Sequence, residues 1–335
     1  FAPWRWLRSA SVGRSLTVLR RMQPASGGYL EAVPLTSFVT MSLASIGRVN
    51  DVVTQEGLRF IRESFRDDGS WPIDTNLATW NTTLAVNALA GGGEDVAKLE
   101  MLNWLLDCQQ HEQHPFTAAA PGGWGWSDLS GAVPDADDTP GALLALHALR
   151  SSPTADQHDV DRIMGSASAG ISWLLNLQNS DGGWPTFCRG WGKLPFDRSG
   201  VDLTAHALRA LHAWQDLSFR GYQAAMKRGH RFIQNAQRPD GSWVPLWFGN
   251  QDHPQEENPV YGTAKVLHAL RDLGKLETSV GKRGLQWLAS VQNKDGGWGC
   301  GIEPPGLKNE QKSSVEETSL AVEALAASSI AGLHH

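Results

Sequence analysis

The chain has 335 residues, 41% of them hydrophobic and 19% charged, with a formal net charge of −6. This balance excludes a disordered chain and suits a globular protein with a sizeable core, while mild acidity without a basic face excludes nucleic acid as the main partner. No apolar run reaches the roughly 18 residues of a membrane span.

The three cysteines, Cys108, Cys188 and Cys300, lie far apart and form no CxxC pair, so neither a zinc site nor a disulfide framework is indicated. A reduced cytoplasmic setting is the default. The chain starts at Phe1, ends in GLHH and carries no signal-peptide pattern. It reads as a processed or truncated piece with a tag remnant.

The first predicted element is a helix over residues 1–22, FAPWRWLRSASVGRSLTVLRRM, in which Trp4, Trp6 and Leu7 accompany Arg5, Arg8, Arg14, Arg20 and Arg21. Two readings stand: an interfacial helix on a membrane surface, or an outer helix with a basic solvent face. The chain then repeats. QNSDGGW (178–184), QRPDGSW (237–243) and QNKDGGW (292–298) share one Gln-to-Trp spacing, and QPASGGY (23–29) and FRDDGSW (65–71) are weaker copies. A sixth copy separates Gln109 from Trp124 by a longer insert. The repeat accounts for most of the 15 Trp, which outnumber 3 Tyr and 10 Phe.

A helical pattern precedes each copy, as in GISWLLNLQ and GLQWLASVQ, and the glycines stop it. A more apolar helix follows each copy, starting near Leu35, Trp80, Asp137, Val201, Tyr261 and Val315. Twelve helices in six outer–inner pairs predict an all-α, (α/α)6 barrel. One barrel over 1–335 is expected, with repeats over 51–330 and residues 1–50 closing the ring. Inner helices should be buried on all sides. The Gln/Gly/Trp turns read as structural, the amide and indole tying neighbouring repeats together.

Connections from inner to outer helix are short. Those from each Trp to the next inner helix are long, at 110–137, 185–200, 244–259 and 299–313, and long connections carry function. They converge on the end where inner helices begin. There the chain places Trp80, Asn81 and Thr82; Asp135, Asp137 and Asp138; Asp202, Thr204 and His206; Tyr261 and Thr263; and Glu316, Glu317 and Thr318. One Asp would be explained as a helix cap. Three in four positions, over a buried helix, exceed what capping needs. His206 taken alone is equally a core histidine, and Trp126, Trp247 and Tyr261 equally pack the loops.

VPDADDTPGALLAL resembles the DxDDT element of class II, protonation-initiated terpene cyclases. The Gln…GlyXaaTrp turns resemble the QW repeats of the squalene-hopene cyclase family, and GGWGWSDLSGAVPDADDT, DLTAH and VYGT follow in the order of that family's catalytic barrel. The resemblance covers most of 55–325. It implies that Asp137 is the proton donor, flanked by Asp135 and Asp138 and hydrogen-bonded by His206. It further implies that Tyr261 joins a polar network there, that Trp80, Trp126 and Trp247 line the cavity, and that Asp202 is a further acid near the site. Family members carry a second α-barrel domain, for which this chain has no room, and the last QW segment is missing after residue 328.

The chemistry fits those residue types. Protonating an isolated C=C needs a strong acid kept from water, and packed carboxyls hold at least one proton at neutral pH. Aromatic faces stabilise the resulting cation without trapping it. No metal or cofactor is expected, since DDxxD and Cys/His clusters are absent. The expected substrate is an isoprenoid polyene such as squalene, with a diphosphate substrate left open. Expected partners are a second cyclase domain or a homo-oligomer, and a membrane surface. Alternatives are a non-catalytic isoprenoid-lipid-binding barrel, a prenyltransferase β-subunit-like protein, and a glycoside-processing barrel using Asp137 and Glu317.

Overall fold

A computed structural model of the chain describes residues 2–73, 76–114, 117–129, 131–186, 197–299, 301–302 and 311–326; the side chains of 2–9, 301, 302 and 311 lie outside that description. Trp4, Arg5, Trp6, Leu7 and Arg8, as side chains, and Cys188 and Cys300 therefore fall outside it. Twelve α-helices occupy the described residues. Six are outer: α1 (Ala2–Met22), α3 (Val52–Glu63), α5 (Leu102–Asp107), α7 (Gln157–Leu177), α9 (Tyr222–Ala236) and α11 (Ser279–Ser290). Each precedes an inner one: α2 (Val33–Ser45), α4 (Ala78–Gly91), α6 (Asp138–Ser151), α8 (Val201–Ala213), α10 (Pro259–Asp272) and α12 (Val315–Ala326). A two-residue antiparallel ladder pairs β1 (Gly301–Ile302) with β2 (Gln311–Lys312). The architecture is the all-α, α/α-barrel type. Among the described residues no helix is long and apolar enough to cross a membrane.

One set of side chains wires each pair to the next. The indole N–H of Trp71, Trp184, Trp243 and Trp298 donates to the carbonyl ten residues back, at 2.7–2.8 Å, and the Tyr29 hydroxyl does the same to Leu19 at 3.0 Å. Trp124, after its longer insert, reaches Leu105. The Gln amide closes its own turn and also donates to the following outer helix or its start: Gln23 to Val53, Gln109 to Ser166, Gln178 to Ala225 and Gln237 to Val280. The rings of Trp124, Trp184 and Trp243 then sit on a glycine of that helix. A Cβ at Gly170, Gly229 or Gly284 would lie 2.7–2.8 Å from the ring of Trp124, Trp184 or Trp243.

A threonine in the first turns of five of the six inner helices, all but α4, completes the wiring. The hydroxyls of Thr36, Thr139, Thr204, Thr263 and Thr318 accept from the backbone N–H of Tyr29, Trp124, Trp184, Trp243 and Trp298. Thr204, Thr263 and Thr318 are thus spent on the turns rather than offered to a cavity.

The inner helices are unequal. α6, α8 and α10 are buried along nearly their whole length, because each packs between two inner neighbours. α4 and α12 each pack broadly against one inner neighbour, and α2 packs on α3. These three leave apolar side chains in solvent, with Phe38 and Met41 both 65% exposed. The expectation of burial on all sides holds only for the middle of the arc. One large core runs from α4 to α12, and a smaller one gathers Leu16, Met22, Tyr29, Leu43 and Val53 from the first three helices.

Candidate active site

Counting from those threonines puts the polar residues in register. Two positions before it stand Asp137, Asp202, Tyr261 and Glu316, and two positions after it stand His206 and Lys265. The helical spacing keeps both positions on one face. The first set therefore rings one end of the barrel, with the second set a turn deeper.

The three aspartates divide their work. Asp135 is the cap: its Oδ1 accepts from the N–H of Asp137 at 2.8 Å and of Asp138 at 2.7 Å. Asp137 stands at the N-cap position of α6 but makes no capping bond. Its Oδ1 instead lies 2.7 Å from His206 Nδ1. Its Oδ2 takes no hydrogen bond among the described residues, and Asp137 is 8% exposed where Asp135 and Asp138 are each 3%. Of the three carboxyls, Asp137 has the oxygen open to an incoming molecule.

Burial dominates the electrostatics. It raises Asp135 to about 7, against two backbone donors and with the help of Asp137. It raises Asp138 far above the usual carboxylate range, joined by the charges of Asp135 and Asp137. The proton is thus held more tightly on Asp138 than on an ordinary carboxyl, beside Asp135. Burial also raises Asp202 to about 6, with Asp137 adding to it; among the described residues neither side-chain oxygen of Asp202 has a hydrogen-bond partner. Asp137 goes the other way. Burial would raise it, but the His206 hydrogen bond and the charge of Lys265 hold it below the usual range. His206 is pressed down to about 4 by burial, which outweighs its bond to Asp137, so the imidazole stays neutral. Tyr261 is raised well above its ordinary value by burial and by Asp137, Asp202 and Glu316.

Aromatic rings flank these groups. Phe248, from the long connection before α10, stacks on Tyr261 with centroids 5.0 Å apart and meets Trp80 of α4 at 5.8 Å. The Trp247 indole turns to the Thr186 hydroxyl, and Trp247 is exposed. Trp126 offers its carbonyl to the N–H of Thr79 and Trp80, fixing the start of α4. Glu317 forms a reciprocal capping pair with Ser314, whose hydroxyl donates to Oε2 at 2.7 Å and accepts from the Glu317 N–H at 3.0 Å. Glu316, not Glu317, is the α12 carboxylate that acts on Tyr261.

A family model described as squalene-hopene cyclase C-terminal domain matches residues 77–333. The chain belongs to the squalene-hopene cyclase family. It is 30% identical over 241 residues to a squalene–hopene cyclase of Bradyrhizobium diazoefficiens, covering 66% of this chain and 34% of that protein. It is 29% identical over 290 residues to an enfumafungin synthase of Hormonema carpetanum, covering 77% of this chain and 21% of that one. This member thus spans about a third or less of the length of these relatives. Among solved structures, the type II terpene cyclase MstE from Scytonema matches with a TM-score of 0.51 at 16% identity, covering 76% of this chain and 65% of that one. The ent-copalyl diphosphate synthase from Streptomyces platensis matches with a TM-score of 0.51 at 22% identity, covering 82% and 49%.

In this cyclase-family chain the structure adds two groups that the motifs do not flag. Phe248 bridges Trp80 and Tyr261 from a loop whose sequence carries no repeat to place it. Lys265 stands on α10 at the register position of His206 on α8, and the helical periodicity from Tyr261 could have found it.

Proposed function

We propose that the chain is the acid-bearing barrel of a class II, protonation-initiated terpene cyclase, and that Asp137 donates the proton to a linear polyene such as squalene. The observation that carries this reading is the open Oδ2 of Asp137, whose Oδ1 is held by His206 2.7 Å away. Asp135 positions the turn and shares a proton with Asp138, which is the reservoir of the cluster. A polyene filling the mouth expels water, which disfavours the Asp137 anion and loads that carboxyl. The proton on Oδ2 then passes to an alkene carbon. The π pair becomes the new C–H bond, the O–H pair stays on the carboxylate, and positive charge appears on the more substituted carbon.

Trp80, Phe248 and Tyr261 offer ring faces to that charge, worth about 2 kcal/mol or more each when desolvated. Trp126 and Trp247 extend this lining, and Asp202 adds a further acid at the level of Asp137. Proton loss from the final cation ends the cascade, so no metal or cofactor enters the balance. The substrate, the product and a second cyclase domain belong to the intact protein.

We read residues 1–335 as one barrel unit, with 1–50 supplying its first pair, because Gln23, Tyr29 and Thr36 repeat the wiring of the later pairs. A cytoplasmic protein is the setting that suits this reading. For the first helix, burial of Leu16 and Met22 favours an outer barrel helix. Membrane contact then rests on Trp4, Trp6 and Leu7, and co-flotation with anionic liposomes tests it. The test of the main reading is incubation of the intact protein with squalene and shorter polyenes. Cyclic hydrocarbon products support it, and none from any polyene leaves the lipid-binding alternative.

A further inference from the structure

The register of the barrel sets a cation one helical turn from the acid ring. Lys265 holds on α10 the position that His206 holds on α8, four residues past Tyr261. Its Nζ lies 5.7 Å from the centroid of the Tyr261 ring. Lys265 is half-buried, and among the described residues no carboxylate comes within ion-pair distance of it and no hydrogen bond ties it.

The next register position down is already engaged. Arg209 Nε meets Asp272 at 2.6 Å, and Glu323 meets Arg271 at 3.0 Å and His268 at 3.5 Å. Above Lys265 stand Asp137, Asp202, Tyr261 and Glu316, with Asp135 and Asp138 behind Asp137. The charged and titratable groups around it from α8, α10, α12 and α6 with its preceding turn are therefore seven carboxyls (the five above, Asp272 and Glu323), Tyr261, His206, His268, Arg209 and Arg271. The two arginines are spent on carboxylates below, so among the described residues the unengaged positive charge beside the acid ring is Lys265.

We propose that Lys265 is a positioning residue for the acid: its ammonium, rather than an imidazolium at His206, stabilises the Asp137 carboxylate left after proton transfer. This rests on the cyclase reading above. Neutral His206 donates from Nδ1 to Oδ1 and orients the carboxyl, so that Oδ2 carries the transferable proton. Lys265 exchanges no proton and touches no reacting atom. Its charge favours the anion of Asp137 and of Asp202 and opposes a proton on His206. A buried imidazolium would need solvation that the site lacks, whereas an ammonium at a half-buried position keeps part of its own.

The test uses the intact protein and two readouts. The first is the titration of His206, followed by NMR of isotope-labelled histidine and assigned with His206→Gln. Lys265→Met should raise the His206 midpoint by about one unit, a tenfold gain in proton affinity, and Lys265→Arg should leave it in place. The second is the pH profile of squalene cyclisation. Lys265→Met should lower kcat about tenfold with little change in KM and move the alkaline limb of kcat to higher pH, since Asp137 becomes a weaker acid. Lys265→Arg should restore most of the rate. Lys265→Gln serves as a second neutral variant should the Met variant fail to fold. A His206 midpoint unmoved in the neutral variants overturns the proposal, whether or not the protein turns over. Equal losses of rate in the Met and Arg variants overturn it too, because they mean shape rather than charge. A shifted His206 with no cyclic product from the parent removes the cyclase reading and leaves the charge coupling standing.

Discussion

His206 Nδ1 lies 2.7 Å from Asp137 Oδ1, across 69 residues of chain, and this one bond separates Asp137 from its two acidic neighbours. Asp135 is occupied by backbone amides, and Asp138 is sealed behind it. Asp137→Asn should therefore abolish cyclisation, lowering kcat at least about a thousandfold. The amide keeps the shape and the acceptor for His206 but has no proton to give to carbon. Product analysis alongside a polyene-binding measurement checks it; cyclic product at the parent rate would sink the assignment.

His206→Ala should weaken turnover without ending it, by roughly tenfold to a hundredfold. The imidazole orients the acid and does not supply the proton. His206→Ala combined with Asp137→Asn should be no worse than Asp137→Asn alone, because the two side chains act as one unit. An additive loss in the double variant contradicts the shared role.

Asp135 carries a pH signature in stability. Its pKa in the folded chain is raised to about 7, so the fold holds this proton more tightly than the unfolded chain does. The stabilisation is fully present below about pH 4 and is lost as pH rises through about 7, at up to about 1.4 kcal/mol per pH unit. His206, lowered to about 4, works in the opposite sense between about pH 4 and 6.5. Asp135→Asn keeps the Oδ1 acceptor and cannot ionise. Its melting temperature should gain on the parent as pH rises from 4 to 8, with little difference at pH 4. A constant offset across that range would contradict the buried-carboxyl account.

The same indole bond should have two different weights. Trp184 is fully buried and donates to the Leu174 carbonyl, while Trp71 makes the equivalent bond to Ile61 but is 48% exposed. Trp184→Phe leaves a buried carbonyl unpaired and a gap beside Gly229, and should cost about 1–3 kcal/mol or more. Trp71→Phe should cost under about 1 kcal/mol, since water replaces the donor. Thermal melts of both variants compare them directly.

Whatever repeats could be read from the order of residues. Six helix pairs, the structural role of Gln and Trp, and the end of the barrel where the polar residues gather follow from spacing alone, because helix periodicity and glycine stops are local. The excess of acid at Asp135, Asp137 and Asp138 over the needs of a cap was legible for the same reason. The rest depended on groups brought together from different helices. Which aspartate caps, which stays open, and that His206 remains neutral were set by burial and by contacts across the ring. Thr204, Thr263 and Thr318 read as cavity groups until their bonds to the Trp backbone were seen. Phe248 and Lys265 had no motif to announce them. A side chain's charge state depends on what surrounds it in space, and the order of residues along one helix carries only half of those surroundings.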